Sequence, residues 1–307
     1  FGFGIKPFGP KTLPSFESLI IIEGVHINFS KFNSPFLIFS INSSPPVISA
    51  PASFATFALS SSQTTATLIF FPLPEGKLTE SNYSLVESEI PEISSDQVLV
   101  KTISFAITAG TRAGLQGSAS YAGAPTTGIV MNCTGIGEIV KSNSEEYPIG
   151  KNVLTQTGWQ EYSAQNIQSL TLLRDTVAPS LYLGPLGING LTAYFGLLEI
   201  GQPQEGETVM ISAAAGSVGH MVGQIAKIKG CSVIGVCGSD DKCEKLINDL
   251  GFDAAVNYKD ANFRQNLKEA TPNGVDVYFD NTGGMILGSA LFRLNSGGRI
   301  ACCGVVS

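Results

Sequence analysis

The stretch VMISAAAGSVGHMVGQIAK, residues 209–227, sets alanine, glycine and serine between an apolar segment and an amphipathic one. Residues this small are useful where something must come close to the backbone. Ala214-Ala215-Gly216-Ser217-Val218-Gly219 occupies the place of a G-x-G-x-x-G turn, with alanine at its first glycine position. Such a turn leads a strand into a helix. Its second glycine lets the backbone approach a pyrophosphate, and its third lets the helix pack close to the strand. The helix N-terminus adds free N–H groups and a positive dipole end. Gly216 and Gly219 take the two glycine roles, and Ala214, Ser217 and Val218 complete the cradle. The motif alone also fits a tight strand–helix turn with no ligand.

A second group of residues bears on which dinucleotide would bind. In NAD-preferring sites an acidic residue about 20 positions after the glycines holds the ribose 2′-hydroxyl. Here that place falls near Gly238, with Ser239 next, and small residues there leave room for a 2′-phosphate. Lys242 then stands in the first turn of the following helix, where a cation opposes the helix dipole. Pairing with a phosphate gives it one reason to be there, and solvation between Asp240 and Asp241 gives another. This set favours NADP over NAD.

These residues need elements to hold them. Residues 190–307 alternate between apolar strand patterns (TVMISAA, SVIGVCG, AAVNYK, VDVYFDN, GRIACCGVV) and helical ones (SVGHMVGQIAKIKG, DDKCEKLINDLG, ANFRQNLKEAT, MILGSALFRL). Five strands with crossover helices predict a parallel sheet covered on both faces, which suits near-continuous apolar strands. In the first of these helices Val218, Val222 and Ile225 share a face and are expected against the sheet. Residues 73–185 read as mostly β. DQVLVKTISFAI is a strand, GIVMNCTGIGEIVKS holds two short strands around glycines, and YPIGKNVLT is a turn and a strand. Short strands at this spacing suggest a small barrel-like domain. Residues 1–70 differ from both. They hold most of the phenylalanines and only five Lys, Arg, Asp or Glu residues, in a Ser/Thr/Pro-rich mixture with no clear period. An extra β segment, a disordered or processed leader, and sequence foreign to the native protein all fit that texture.

Composition excludes some partners. The net charge is −7 and the isoelectric point about 4.9, which disfavours nucleic acid and anionic membranes. No apolar run reaches the roughly 18 residues that a membrane-crossing helix needs. Six cysteines form no Cys-x-x-Cys pair, and the two histidines, His26 and His220, stand in no ligand-like cluster, so reduced thiols and no metal site are expected.

The segment GPLGINGLTAYFGLLEIGQPQEGETVMISAAAGSVGHMVGQIAKIKG resembles the zinc-independent medium-chain dehydrogenase/reductases. The nearest groups are the leukotriene B4 12-hydroxydehydrogenase/prostaglandin reductase type and the quinone-oxidoreductase-like reductases. GSDDKCEKLINDLGFDAAVNYKD, VDVYFDNTGG, GRIACCGVVS and GWQEYS continue the likeness. It implies an α/β fold: a GroES-like β-rich domain (73–188) followed by a Rossmann-type doubly wound parallel sheet (189–307) with five of its six strands, after an atypical leader (1–72). It implies NADPH as cofactor and a small-molecule enone or quinone as substrate, with hydride delivered to a C=C bond conjugated to a carbonyl. An NADPH-binding or structural protein of the same fold without turnover, or an inactive fragment, is the alternative.

Carried over by position, Gly216, Ser217, Val218 and Gly219 would line the pyrophosphate, and Lys242 and Tyr258 would hold the 2′-phosphate. Asn281 would sit beside the cofactor, Gly304 and Val306 would border the nicotinamide, and Thr192 would lie on the nicotinamide side of the cleft. Each has an ordinary reading too: a strand-end aromatic for Tyr258, a turn for Asn281 and Gly283-Gly284, methyl packing for Thr192. The chain departs from the family in ITAGTRAGLQ, which keeps Arg112 as a candidate site residue and lacks the family's tyrosine. It also ends just after the fifth strand, so the likeness implies a truncated enzyme whose full-length form is a homodimer. A cytoplasmic location is expected, or an organellar one if the leader carries a targeting signal.

Overall fold

The structure is a computed structural model that describes residues 79–108 and 127–304, together with the strands β1 (Ile38–Phe39), β2 (Ile48–Ser49) and β3 (Thr64–Phe70). β1 and β2 pair antiparallel. β3 pairs along its length with β4 (Tyr83–Glu89) and at one end with β6 (Ile129–Val130). The compositional break at residue 72 therefore does not coincide with a structural one. β3 precedes that break and still shares a sheet with strands that follow it.

A five-stranded antiparallel sheet makes up the rest of the β-rich region. It is built from β5 (Gln97–Phe105), β7 (Gly135–Ser142), β8 (Asn152–Thr155), β9 (Tyr162–Asn166) and β10 (Thr171–Leu172), in the order β10-β8-β7-β5-β9. Val98, Val100, Ile139 and Val153 are fully buried in one cluster of this sheet. Phe70, Phe105, Met131 and Trp159 form another, with Tyr83 and Phe105 both stacked on the Trp159 indole. Burying an aliphatic or aromatic side chain of this size contributes about 1.5–3 kcal/mol.

Helix α1 (Ile188–Phe195) opens the α/β region and widens into a π-helical turn over Gly196–Gly201. Five strands and four helices then alternate: β11 (Thr208–Ser212), α2 (Gly219–Ile228), β12 (Ser232–Cys237), α3 (Asp240–Asn248), β13 (Ala254–Asn257), α4 (Phe263–Ala270), β14 (Val275–Asp280), α5 (Gly284–Leu291) and β15 (Leu294–Cys302). All neighbouring strands are parallel, in the order β13-β12-β11-β14-β15. The order reverses between β11 and β14, the place where open α/β sheets hold ligands at the carboxyl ends of their strands.

The apolar runs are continuous because both faces are covered. Val209, Ile211, Val277 and Phe279 face Ala193, Leu197, Val222 and Ala226 of α1, its π-helical turn and α2. Met210, Val275 and Tyr278 face Phe263 and Leu267 of α4 and Ile286 and Ala290 of α5. Val218 and Ile225 pack partly buried beside Val222, as their shared face predicts.

The sequence pattern misplaces one boundary. MILGSALFRL reads as helix through residue 294, but α5 ends at Leu291 and β15 starts at Leu294. Arg293 makes the turn: its N–H donates to Ala290 O (2.8 Å), and its guanidinium reaches Thr271 Oγ1 (2.9 Å) and the Thr271 carbonyl. The Asn295-Ser296-Gly297-Gly298 run is taken up by a register shift between β14 and β15. Among the described residues no helix is long and apolar enough to cross a membrane.

Candidate active site

The turn after β11 is tight because Gly216 N–H donates to Ala213 O (2.8 Å) and Ala214 N–H donates to Val236 O (3.0 Å). Ala213 carries a φ of 45°, an uncommon left-handed conformation for a residue with a Cβ. The strained position of the turn is thus Ala213, one residue before the alanine that the motif suggests. Ala214 is fully buried and packs beneath the loop. An alanine in a positive-φ position leaves no compositional trace, so sequence reasoning misses it.

Gly219 begins α2 close against the strand. A Cβ on it would lie 2.4 Å from Ala213 O and 2.8 Å from Ala214 Cα. The first amide of the helix to find a carbonyl is that of His220, on Gly216 O at 3.1 Å. The N–H groups of Ser217, Val218 and Gly219 have no hydrogen-bond partner among the described residues. They are three donors at the positive end of a helix. His220 Nδ1 also lies 2.7 Å from Gly216 O, and burial pushes the imidazole pKa below its ordinary value, so the ring is neutral and Nδ1–H donates.

Beyond β12 the predicted phosphate residues converge. A Cβ on Gly238 would meet the Tyr258 ring at 3.1 Å, so the ring lies directly over that glycine. Tyr258 N–H donates to Cys237 O (2.9 Å), which fixes the ring's origin at the end of the neighbouring strand. Ser239 is the N-cap of α3, yet its hydroxyl makes no cap hydrogen bond. Lys242, in the first turn of α3, makes no ion pair among the described residues. Its expected neutraliser Asp240 accepts instead from Asn257 Nδ2 (2.9 Å).

At the ends of β11, β14 and β15 a buried network does the positioning. Asp280 is 2% exposed, and its Oδ1 accepts from Tyr278 Oη (2.8 Å), Ser212 Oγ (3.1 Å), Thr282 N–H (3.0 Å) and Gly283 N–H (2.9 Å). Asn281 donates from its backbone to Ser212 Oγ (2.8 Å) and from its side chain to Ser212 O (2.7 Å). Gly304 sits against it, since a Cβ there would lie 2.8 Å from Asn281 O. Sequence reading names Asn281 and Gly304 but not Asp280, Tyr278 or Ser212, which look like ordinary strand residues. Thr192 donates its hydroxyl to Ile188 O (2.7 Å) and lines a cavity of about 270 Å³ with Phe195, Ile200, Phe279, Cys302 and Cys303. Arg112 and Val306 lie outside the described residues.

Residues 67–173 match a family described as the N-terminal domain of oxidoreductase, and residues 217–307 match one described as zinc-binding dehydrogenase. The chain is 39% identical over 235 residues to the NADPH-dependent curcumin reductase of Escherichia coli, covering 76% of this chain and 68% of that protein. The chain belongs to the zinc-independent medium-chain dehydrogenase/reductases. Its relatives include NADPH-dependent oxidoreductases, and the chain is an oxidoreductase of that family. Mouse prostaglandin reductase 1 is 40% identical over 238 residues, covering 76% of this chain and 70% of its own. The structure of CurA in complex with NADPH from Vibrio vulnificus aligns with a TM-score of 0.75 at 37% identity, covering 78% of this chain and 72% of that one. One matched description names zinc. Among the described residues no group of three or more His, Cys, Asp or Glu side chains is placed to hold a metal ion.

Proposed function

We propose that this chain binds NADPH and reduces the C=C bond of an α,β-unsaturated carbonyl compound, with quinones as a second class of acceptor. The observation that carries the cofactor choice is the end of β12. Gly238 lies bare beneath Tyr258, Ser239 leaves its cap unused, and Lys242 makes no ion pair among the described residues, with no carboxylate in the place where NAD-preferring sites carry one. The names of the relatives, which include a curcumin reductase and a prostaglandin reductase, support the acceptor class.

The residues fit the cofactor. Ser217, Val218 and Gly219 offer amides to a pyrophosphate; a Cβ on Gly219 would collide with the Ala213 carbonyl, and one on Gly238 would press on the Tyr258 ring. Lys242, Ser239 and Tyr258 would hold the 2′-phosphate. Asn281, Gly304 and Val306 would border the nicotinamide. When bound, the cofactor supplies the hydride. The protein's part is to orient the reactants. Phe195, Ile200 and Phe279 give the cavity apolar walls. The Thr192 hydroxyl has committed its only proton to Ile188 O, so toward a ligand it is an acceptor, suited to a carboxamide NH₂. Arg112 is assigned to the substrate side, and the enzyme to a homodimer, on the family resemblance.

The test is an equilibrium titration with NADPH and NADH, followed by turnover with an enone, its saturated ketone and a quinone. NADPH bound far more tightly than NADH, with loss of NADPH absorbance on adding the enone but not the ketone, is the expected result. Tight NADPH binding with no turnover on enone or quinone would overturn the reductase reading for this chain and leave a binding protein or an inactive fragment.

A further inference from the structure

Two thiols meet beside the proposed 2′-phosphate residues. Cys237 closes β12 and is 3% exposed, while Cys243 lies in the first turns of α3 and is half-buried. Their sulfurs are 3.1 Å apart, and the residues between them are Gly238, Ser239, Asp240, Asp241 and Lys242. Cys237 Sγ also contacts Ser239 O at 3.6 Å, and Cys243 N–H donates to the same carbonyl at 3.2 Å. We infer that Cys237 and Cys243 form an oxidisable pair, and that closing it to a disulfide with a hydroperoxide lowers the affinity for NADPH. The second half of this inference rests on the cofactor reading above.

The chemistry balances with one hydroperoxide. The Cys243 thiolate attacks the peroxide, the O–O bond breaks, and an alcohol leaves as Cys243 becomes a sulfenic acid. Cys237 sulfur then displaces hydroxide from that sulfur, and its thiol proton leaves with the hydroxide as water. Two thiols and one hydroperoxide give a disulfide, an alcohol and water. Cys243 goes first because it is the more exposed and because the Cys237 S–H can hydrogen-bond to its anion. Burial holds both thiols above the ordinary cysteine range, so the pair answers to sustained oxidant rather than to a brief pulse.

The effect on the cofactor follows from geometry. A disulfide needs its sulfurs about 2.05 Å apart, so the first turns of α3 must move toward β12. The Cys237 contact with Ser239 O loses its hydrogen. Ser239 caps α3 and Lys242 precedes Cys243, so both shift with the turn. Moving one charged hydrogen-bonding group out of place is worth about tenfold in affinity.

The experiment treats the protein with tert-butyl hydroperoxide, maps cross-linked and alkylated peptides by mass, and titrates NADPH before oxidation, after it, and after dithiothreitol. A peptide pair holding Cys237 and Cys243 that has lost two hydrogens is expected. The dissociation constant should rise about tenfold and recover on reduction. Cys243→Ser, checked for an unchanged melting curve, should keep its affinity under oxidant. A reduced protein that binds NADPH but forms no such cross-link, under conditions that oxidise the exposed Cys302, overturns the pair. A cross-link that leaves the affinity unchanged overturns the coupling. If the reduced protein fails to bind NADPH, the cofactor reading falls and the coupling with it, while the cross-link is judged by mass alone.

Discussion

The two ends of the parallel sheet are built by opposite rules. At the amino end, polar groups are paired. The Arg299 guanidinium reaches both Glu207 oxygens (2.9 and 2.5 Å) and the carbonyls of Gly201 and Gln202. Asp276 accepts from Thr208 N–H (2.8 Å) and Asn295 Nδ2 (2.8 Å), and Asp253 accepts from Lys227 (2.8 Å) and Val233 N–H (2.6 Å). At the carboxyl end, the amides of Ser217, Val218 and Gly219, the Ser239 hydroxyl and the Lys242 ammonium have no such partners among the described residues. One end spends its polar groups on the protein; the other spends Asp280, Asn281 and Ser212 on one another and keeps a second set for something else. That asymmetry, more than any single motif, supports the proposal that the carboxyl end is the site.

The sharpest way to break the contrast is Gly219→Ala. Its Cβ would lie 2.4 Å from the Ala213 carbonyl oxygen and 2.8 Å from Ala214 Cα, backbone atoms that cannot swing aside as a side chain can. Overpacking of this kind costs about 1–3 kcal/mol or more, and here it also displaces the donor amides. A clearly lowered unfolding midpoint together with lost NADPH binding is expected. A variant that melts and binds like the parent would show that α2 need not approach the strand. Lys242→Ala comes next. It removes an unpaired surface cation, so stability should hold within about 0.5 kcal/mol. The NADPH dissociation constant should rise by about ten- to a hundredfold, equivalent to about 1.4–2.8 kcal/mol, while that of NADH stays put. Equal losses for both cofactors would remove the 2′-phosphate assignment.

How legible the two ends are differs for a physical reason. The strand–helix alternation of residues 208–302 is plain in the sequence because burial on both faces makes the strands continuously apolar. Gly238 and Tyr258 stand 20 residues apart and meet through the parallel pairing of β12 and β13, a register the alternation implies. Asp280 is invisible by contrast. Its carboxylate gathers four donors, three from the surrounding stretch 278–283 and one from Ser212 of β11, and nothing in the residue types announces that arrangement. The Cys237–Cys243 contact escapes for a related reason: a spacing of six matches neither a Cys-x-x-Cys pair nor one helix face, and the two residues meet only because the chain turns at Ser239. Strand β3 is hidden by its composition, which blends with the Ser/Phe-rich run before it.

A third test probes the paired end. Glu207→Gln keeps the shape but removes the charge facing Arg299. Partly exposed bidentate pairs contribute about 1 kcal/mol, so a small drop in melting temperature with unchanged NADPH affinity is expected. The parent should also show it in acid. The Arg299 hydrogen bond holds the Glu207 pKa below its ordinary value of about 4.3. The unfolded chain therefore binds the proton first, and the pair's stabilisation is complete above that ordinary value and lost as pH falls through the lower folded one. The glutamine variant should lack that part of the slope. A matching acid slope in both proteins would remove Glu207 as its source.

The smallest effect is expected where the carboxyl end looks most strained. Ala213 holds a φ of 45°, and a left-handed alanine costs about 1–2 kcal/mol against glycine in the same conformation. Glycine in turn loses about 0.4–1 kcal/mol more on folding through the entropy of the unfolded chain. Ala213→Gly should therefore stabilise the protein by about 0–1.6 kcal/mol, and NADPH affinity should change less than twofold. That outcome would mean that the turn is held by Gly216 N–H on Ala213 O and by the close seat of Gly219, and that the alanine's strain is tolerated without being used. A large loss of affinity in a protein that is no less stable would reverse the conclusion. The Cβ of Ala213 would then be what keeps the three free amides in one orientation, and the carboxyl end would owe its binding to a strained residue as much as to its unpaired polar groups.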